Sequence, residues 1–256
     1  MSRYRTRLLV LIGVMLSVGC AGPTPASRLA QYVPISRPGD SALTRLPDQR
    51  PVRATLVLIA DRSESEAPPL LPEVVQERLA EKLREDINRG FPIVIERVVQ
   101  LGEIPAGGAK LDWRTVAGQQ GAEYLVVAVL SGVEQEYPVS LFLGWTTHRQ
   151  PGVRRDHWAL VEAALIEGRS GRVVLQAEGR AWATLDRPTA PGISQWYPVI
   201  YLRPQDPERR IWPSNYEVAP VTLQVVATER AAKRLADNLQ RAWVERRDVE
   251  LASMSR

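Results

Sequence analysis

Few residues in this chain of 256 have the types and spacing that catalysis or metal binding needs. The two histidines, His148 and His157, are nine positions apart, a spacing that fits neither a helical nor a hairpin metal site. Asp156 precedes His157 directly, and neighbouring Asp and His residues rarely have the geometry of a hydrolase triad. We expect His157 to be a solvated loop residue and predict no metal ion. A periplasmic hydrolase that uses His157 is the competing hypothesis.

Carboxylate pairs and glycine pairs are equally weak evidence for glycoside cleavage and for phosphate binding. Glu64 with Glu66, or Glu134 with Glu136, could supply the acid and base of a glycosidase, but loop acids of this kind are usually only solvated. The pair Gly107-Gly108 is not followed by the Lys-Ser or Lys-Thr of a phosphate-binding loop. No Gly-x-Ser-x-Gly motif is present. The sequence therefore predicts a protein that is not an enzyme and has no cofactor.

Cys20 is the single cysteine, which excludes a disulfide framework and a cysteine-based zinc site. It follows three arginines and an apolar run over residues 8–18, which is too short to span a bilayer but suits a signal peptide. The small residues Ser17-Val18-Gly19 before Cys20 resemble the lipobox of bacterial lipoproteins, although Leu is usual at the place of Ser17. The alternative is an ordinary signal peptide with a chance cysteine.

The lipobox resemblance implies a defined location. It implies a signal peptide over residues 1–19, cleavage between Gly19 and Cys20, and acylation of the Cys20 thiol, which anchors the chain in a membrane. Ala21 in the next position resembles the signal for sorting to the outer membrane in Gram-negative bacteria. We expect a lipid-anchored protein on the periplasmic face of the outer membrane, with the choice between inner and outer membrane open in this host.

The charge balance argues against a nucleic-acid partner. The chain has 33 Lys and Arg against 29 Asp and Glu, and after residue 19 the balance is 30 against 29. No excess of basic charge is left to neutralise phosphates. A hydrophobic fraction of 45% with 24% charged residues indicates a globular protein.

The hydrophobic pattern predicts one α/β (α+β) domain over residues 52–247. Residues 20–51 have the proline content of an extended tether, residues 186–220 form an insertion rich in proline and aromatic residues, and 248–256 is a frayed tail. The expected order is β-α-β-α-β-β-β and a C-terminal helix, a small mixed sheet with helices packed on it. The five strands of this order cover 52–60, 93–101, 123–130, 158–166 and 172–184, and a last strand is predicted over 221–226, after the insertion. The predicted helices cover 72–90, 111–120 and 228–246. Thr228 is the expected N-cap of the last helix, and Gly179 suggests a bulge.

Three segments of this pattern carry a resemblance to envelope lipoproteins: LVLIAD, GAEYLVVAVLSG and ALVEAALIEGRSGRVVLQAEG. They resemble the periplasmic α/β domain of the curli-secretion channel lipoprotein, PelC, the penicillin-binding-protein activator lipoproteins and the amino-terminal domain of TolB. The same hairpin, preceded by an aromatic run over residues 137–145, is similar to the rhombotarget lipoprotein group. The resemblance implies an α/β fold and a non-enzymatic protein that forms rings or binds envelope partners. A component of an oligomeric export channel is a further alternative.

Two aromatic segments are the candidate contact surface. Residues 137–145 and 196–202 share a Tyr-Pro-Val sequence in uncharged surroundings, and we expect both to be loops. Exposed aromatic patches mark partner contacts, whereas packing of the two segments on each other or on the sheet is the alternative. The candidate residues are Tyr137, Phe142, Trp145, Trp196, Tyr197 and Tyr201. The sequence thus favours an accessory or scaffold protein that binds another envelope protein or itself.

Overall fold

The computed structural model describes residues 23–34, 46–47, 51–90, 92–103, 111–142, 148–190, 198–203 and 210–254. Seven strands and four helices lie within these ranges. In chain order they are α1 (Leu29–Tyr32), β1 (Val52–Ala60), α2 (Glu73–Gly90), β2 (Ile93–Glu103), α3 (Trp113–Gln120), β3 (Tyr124–Leu141), β4 (Gln150–Glu167), β5 (Val173–Pro188), β6 (Val199–Arg203), β7 (Arg210–Ile211) and α4 (Ala219–Met254). No helix among the described residues is long and apolar enough to cross a membrane.

The seven strands form one mixed sheet in the order β2-β1-β3-β4-β5-β6-β7. β1 is parallel to both β2 and β3, and every later pair is antiparallel. The predicted α/β class and the mixed sheet are confirmed. The chain passes from β1 to β2 on one side of β1 and then returns to β3 on the other side. Open α/β sheets usually bind ligands beside such a reversal, at the carboxyl ends of the parallel strands.

The two faces of the sheet are covered by different helices. Strand β1 has the predicted bounds, and apolar side chains point to both faces. Leu56 and Leu58 pack with α2 and α4 in the larger core cluster. Val57 and Ile59 pack with α1 and α3 in the smaller cluster on the other face. The α2–α4 side and the α1–α3 side of the sheet are named accordingly below.

Strands β3 and β4 are much longer than their apolar runs. They pair without a register shift from Tyr124 opposite Glu167 to Leu141 opposite Gln150. The expectation that residues 137–145 form a loop is therefore wrong for 137–141, which belong to β3. Side chains continue to alternate between the two faces through the polar residues of both strands. These polar residues stay in the sheet because the two strands pair, and pairing cannot be predicted from hydrophobicity alone.

The part of the insertion that the structure describes also joins the sheet. Residues 199–203 form β6, which pairs with β5, and Arg210–Ile211 form β7. The expectation of a long loop is wrong for these residues. Their aromatic and β-branched side chains suit a strand at the edge of a sheet.

The C-terminal region is one helix of 36 residues, α4. The predicted strand over residues 221–226 is wrong, and Thr228 is a buried residue inside the helix and not its N-cap. The helix also continues to Met254, beyond the predicted end at 246. Its buried residues Leu223, Ala227, Ala231, Leu235 and Leu239 recur every four positions and pack on the sheet, so tertiary packing overrides the strand propensity of its first turns.

Gly179 marks a close approach of α4 to β5 and not a bulge. It pairs with Val161 in regular register, whereas the register shift in this hairpin lies between Leu165 and Ile166. A Cβ atom at position 179 would collide with the carbonyl oxygen of Ala231 and the amide nitrogen of Leu235. Glycine is needed here because two backbones meet.

Residues 23–34, named here the N-terminal arm, lie across the α1–α3 side of the sheet. The buried carboxylate of Glu162 accepts hydrogen bonds from the backbone N–H of Arg28 at 2.7 Å, from that of Leu29 at 3.2 Å, and from the hydroxyl of Ser27. At the far end of the arm, the hydroxyl of Tyr32 donates to Asp61, and Trp113 donates to the Tyr32 carbonyl. The expectation of a plain linker is wrong for this part of the proline-rich segment.

Candidate functional site

His157 and Glu134 face each other across β4 and β3. The Nδ1 atom of His157 lies 3.3 Å from Oε1 of Glu134. His157 is 2% exposed, so the expectation of a solvated loop histidine is wrong. Both residues follow the alternation that places Ala128 and Ala159 on the α2–α4 side. Continuing the alternation of side chains along both predicted strands would have placed His157 and Glu134 on this side from the sequence alone.

Two further groups hold the Glu134 carboxylate. The side-chain amide of Gln224 on α4 donates to Oε1 at 3.1 Å, and Arg155 lies 4.0 Å from Oε2. Burial alone would raise the pKa of Glu134, but the nearby His157, with the Gln224 hydrogen bond and the charge of Arg155, outweighs burial and lowers it. Glu134 is thus an ionised carboxylate whose side chain is 14% exposed between β4 and α4.

Gly132 gives the imidazole ring its space. A Cβ atom there would lie 2.9 Å from Cε1 of His157 and 3.2 Å from the carbonyl oxygen of Trp158. Both contacts are tighter than carbon atoms normally allow, so a side chain at position 132 would displace the ring. The ring position therefore depends on a glycine on the neighbouring strand.

A cavity of about 90 Å³ opens beside this pair, between β1, β3, α2 and α4. Its walls include Leu58 of β1, Leu79 of α2 and the prolines and leucines of the loop that follows β1. Its polar lining includes His157, Gln224 and Thr228. The cavity lies beside the carboxyl end of β1, the place where open α/β sheets usually bind ligands. The lining also includes the charged residues Asp61 and Arg62 and the amides Gln76 and Gln100, so it can hold a small group with several polar atoms.

The competing hypothesis is a hydrolase that uses His157, and Ser131 is a serine near this histidine in the cavity lining. Ser131 lies on the opposite face of β3 from Gly132 and Glu134, because side chains alternate along a strand. Its buried hydroxyl has no hydrogen-bond partner within the part of the chain that the structure describes. Among the described residues, no group of three or more His, Cys, Asp or Glu side chains could hold a metal ion.

The other predicted carboxylates contact different partners and do not form a pair. Glu64 binds the N-terminal arm through Arg28 at 2.7 Å, and Glu66 accepts from Gln135. Glu136 pairs with Arg155 at 2.6 Å on the strand surface. Sequence reasoning missed two buried carboxylates, Asp61 and Glu162; Glu162 is flanked by apolar residues and has no motif around it.

The structure separates the predicted contact residues that it describes. Tyr137 lies in β3 and donates from its hydroxyl to Asp156 at 2.6 Å; burial and this bond raise its pKa. Phe142 follows β3 directly and is 68% exposed. Tyr201 lies in β6, three strands away from β3 in the sheet, and the guanidinium of Arg210 lies 5.9 Å from its ring centre. The remaining predicted site residues, Gly19, Cys20, Trp145, Trp196 and Tyr197, lie outside the described residues, as does the pair Gly107-Gly108.

Neither a protein-family model nor a characterised protein matches this sequence. Solved structures do match. A Helicobacter pylori protein described as a neuraminyllactose-binding hemagglutinin homolog is 10% identical over 79% of this chain and 90% of its own, with a TM-score of 0.38. The PelC dodecamer of Paraburkholderia phytofirmans is 15% identical over 73% and 94%, with a TM-score of 0.24. A Xanthomonas campestris protein is 12% identical over 81% and 95%, with a TM-score of 0.28. Scores below 0.5 at such identities decide neither a family nor a function.

Proposed function

We propose that this protein is a lipid-anchored, non-catalytic accessory protein of the bacterial envelope that binds partner proteins at the membrane surface. The observation that carries the proposal is the position of Cys20 relative to the fold. The signal-like segment ends at Cys20, and the arm that Glu162 holds on the sheet begins at residue 23. A single cysteine immediately before the first residues of the domain suits attachment of that domain to a membrane.

The partner surface in this proposal is the end of the β3–β4 hairpin. β1 pairs with β3 only as far as Leu130, so β3 extends beyond its parallel neighbour. Phe142 is largely exposed at the end of β3. An exposed aromatic side chain at the end of β3, beyond the reach of β1, suits a contact with another envelope protein.

The experiment that tests the anchor is metabolic labelling with an alkynyl fatty acid in a bacterial host, followed by membrane fractionation. We expect the wild-type chain to take up label and to fractionate with the outer membrane, and Cys20→Ser to lose the label. Ser17→Leu is the matched control in the same segment, because it restores the residue usual at that place and should keep the label. An unlabelled wild-type chain, or equal labelling of Cys20→Ser, would overturn the anchor.

The competing hydrolase has one observation in its favour, the buried pair of His157 and Glu134 beside a cavity. A hydrolase should lose its activity in His157→Gln while keeping the fold, whereas a binding protein should keep its partner. Crosslinking in whole cells followed by mass spectrometry measures the second outcome. Loss of a defined hydrolytic activity in His157→Gln, with the crosslinked partner unchanged, would favour the enzyme.

A further inference from the structure

The N-terminal arm begins at one edge of the sheet. The guanidinium of Arg180 on β5 donates to the carbonyl of Pro25 at 2.8 Å. Cys20 is five positions before Pro25, and five residues in any conformation span at most about 18 Å. If Cys20 carries the lipid, as proposed above, the edge of the sheet at Arg180 must lie close to the bilayer.

The middle of α4 covers the same edge. The side chain of Arg234 donates to the carbonyl of Arg180, and Asn238 donates to the carbonyl of Glu178 at 2.6 Å. β6 pairs with β5 only from Trp182 onward, so these helix side chains satisfy backbone groups that no strand among the described residues reaches. Arg180 therefore contacts the arm through its side chain and α4 through its backbone.

This part of α4 is basic on its outer face. Residues 229–241 contain four cations, Arg230, Lys233, Arg234 and Arg241, and two acids, Glu229 and Asp237. Glu229 is half-buried among charged groups of α2. Burial and the charge of Asp86 raise its pKa more than Lys82 and Arg78 lower it. Lys233 and Arg241 are exposed, with Asp237 as the one exposed acid between them.

We infer that residues 230–241 of α4 lie against the membrane surface, with the basic side chains at anionic lipid headgroups. The inference rests on the proposed acylation of Cys20. A lipid chain and a nearby basic surface are the two signals that together hold a protein firmly on a bilayer. The partner is an anionic bilayer, because the short chain between Cys20 and Pro25 places this edge there.

The chain's lysines provide the test. Only Lys82, Lys110 and Lys233 are present, and Lys110 lies outside the described residues. The chain beginning at Cys20 is coupled through its single thiol to a maleimide lipid in vesicles of phosphatidylcholine and phosphatidylglycerol. A water-soluble acylating reagent then reports the reactivity of each lysine by mass spectrometry.

We expect the acylation rate of Lys233 to fall at least about threefold on these vesicles relative to the uncoupled chain, and that of Lys82 on α2 to stay unchanged. The variant Arg230→Gln/Arg241→Gln should lose most of this protection. The control Arg169→Gln/Arg172→Gln removes the same charge from the turn between β4 and β5 and should keep it. Equal rates of Lys233 with and without vesicles, or equal protection in both variants, would overturn the inference. Since the coupling is chemical, these results do not depend on acylation in cells, which fatty-acid labelling measures separately.

Discussion

Gly179 on β5 and Ala231 on α4 meet backbone to backbone, with no room for a side chain at position 179. This contact fixes the distance and the angle between α4 and the sheet. The helix in turn supplies Gln224 to the candidate site and Arg234 to the edge of β5. One glycine thus determines where two functionally relevant side chains lie.

We expect Gly179→Ala to destabilise the fold by about 2–3 kcal/mol, because the Cβ atom must push the α4 backbone away from the sheet. Urea unfolding followed by circular dichroism measures the change. Gly118→Ala is the control, since nothing lies within 4 Å of a Cβ there. Gly118 is inside α3, so alanine should be neutral or stabilise by up to about 1 kcal/mol. Equal effects of the two substitutions would contradict the backbone contact.

The N-terminal arm should come loose in Glu162→Ala. The substitution leaves the backbone N–H groups of Arg28 and Leu29 without their acceptor, which we expect to cost about 1–3 kcal/mol. Trypsin should then cleave after Arg28 much faster than in the wild type. Glu77→Ala, at an exposed position of α2, is the control and should leave cleavage unchanged. The same cleavage rate in all three chains would show that Glu162 does not hold the arm.

Glu134 gives the fold a pH dependence of known sign. Its folded pKa is lower than the ordinary value of 4.5, so its contribution to stability is present above pH 4.5 and is lost as the pH falls further. We expect Glu134→Gln to destabilise the fold by about 1–3 kcal/mol at neutral pH, and the difference from wild type to shrink below pH 4.5. Urea unfolding at several pH values tests this. A difference that is constant or grows on acidification would contradict the pairing with His157.

Phe142 should matter for binding and not for folding. With its ring 68% exposed, Phe142→Ala should change the unfolding free energy by less than about 0.5 kcal/mol but reduce recovery of the crosslinked partner. Trp212→Ala is the matched control, because Trp212 is 57% exposed after β7. Partner recovery that is unchanged in Phe142→Ala, or lowered equally in Trp212→Ala, would exclude the hairpin end as the contact.

The sequence predicts those elements whose burial is local and regular. Strand β1 is apolar on both faces, and α2 repeats Leu79, Leu83 and Ile87 every four positions, so their bounds follow from periodicity alone. Residues 221–226 are rich in valine and were expected to be a strand. Residues 221–226 are helical because Leu223 and Ala227 pack on β4 and β5, and this packing outweighs the strand propensity of the segment.

The candidate site escaped prediction for a similar reason. Glu134 and His157 are 23 positions apart and polar, and nothing in their neighbours reveals that both lie in extended strands. Their pairing follows only from the register that begins at Tyr124 and Glu167. Glu162 was missed because its partners are backbone N–H groups of the arm, which leave no sequence signature.

The arm also orders events in folding. Arg28 and Glu162 are 134 positions apart, so the first described residues cannot settle until β4 has formed. Contacts of such long sequence separation form late, after the entropy of closing a large loop has been overcome. Docking of the arm is therefore expected to be the last step in the formation of this fold, after the sheet is complete.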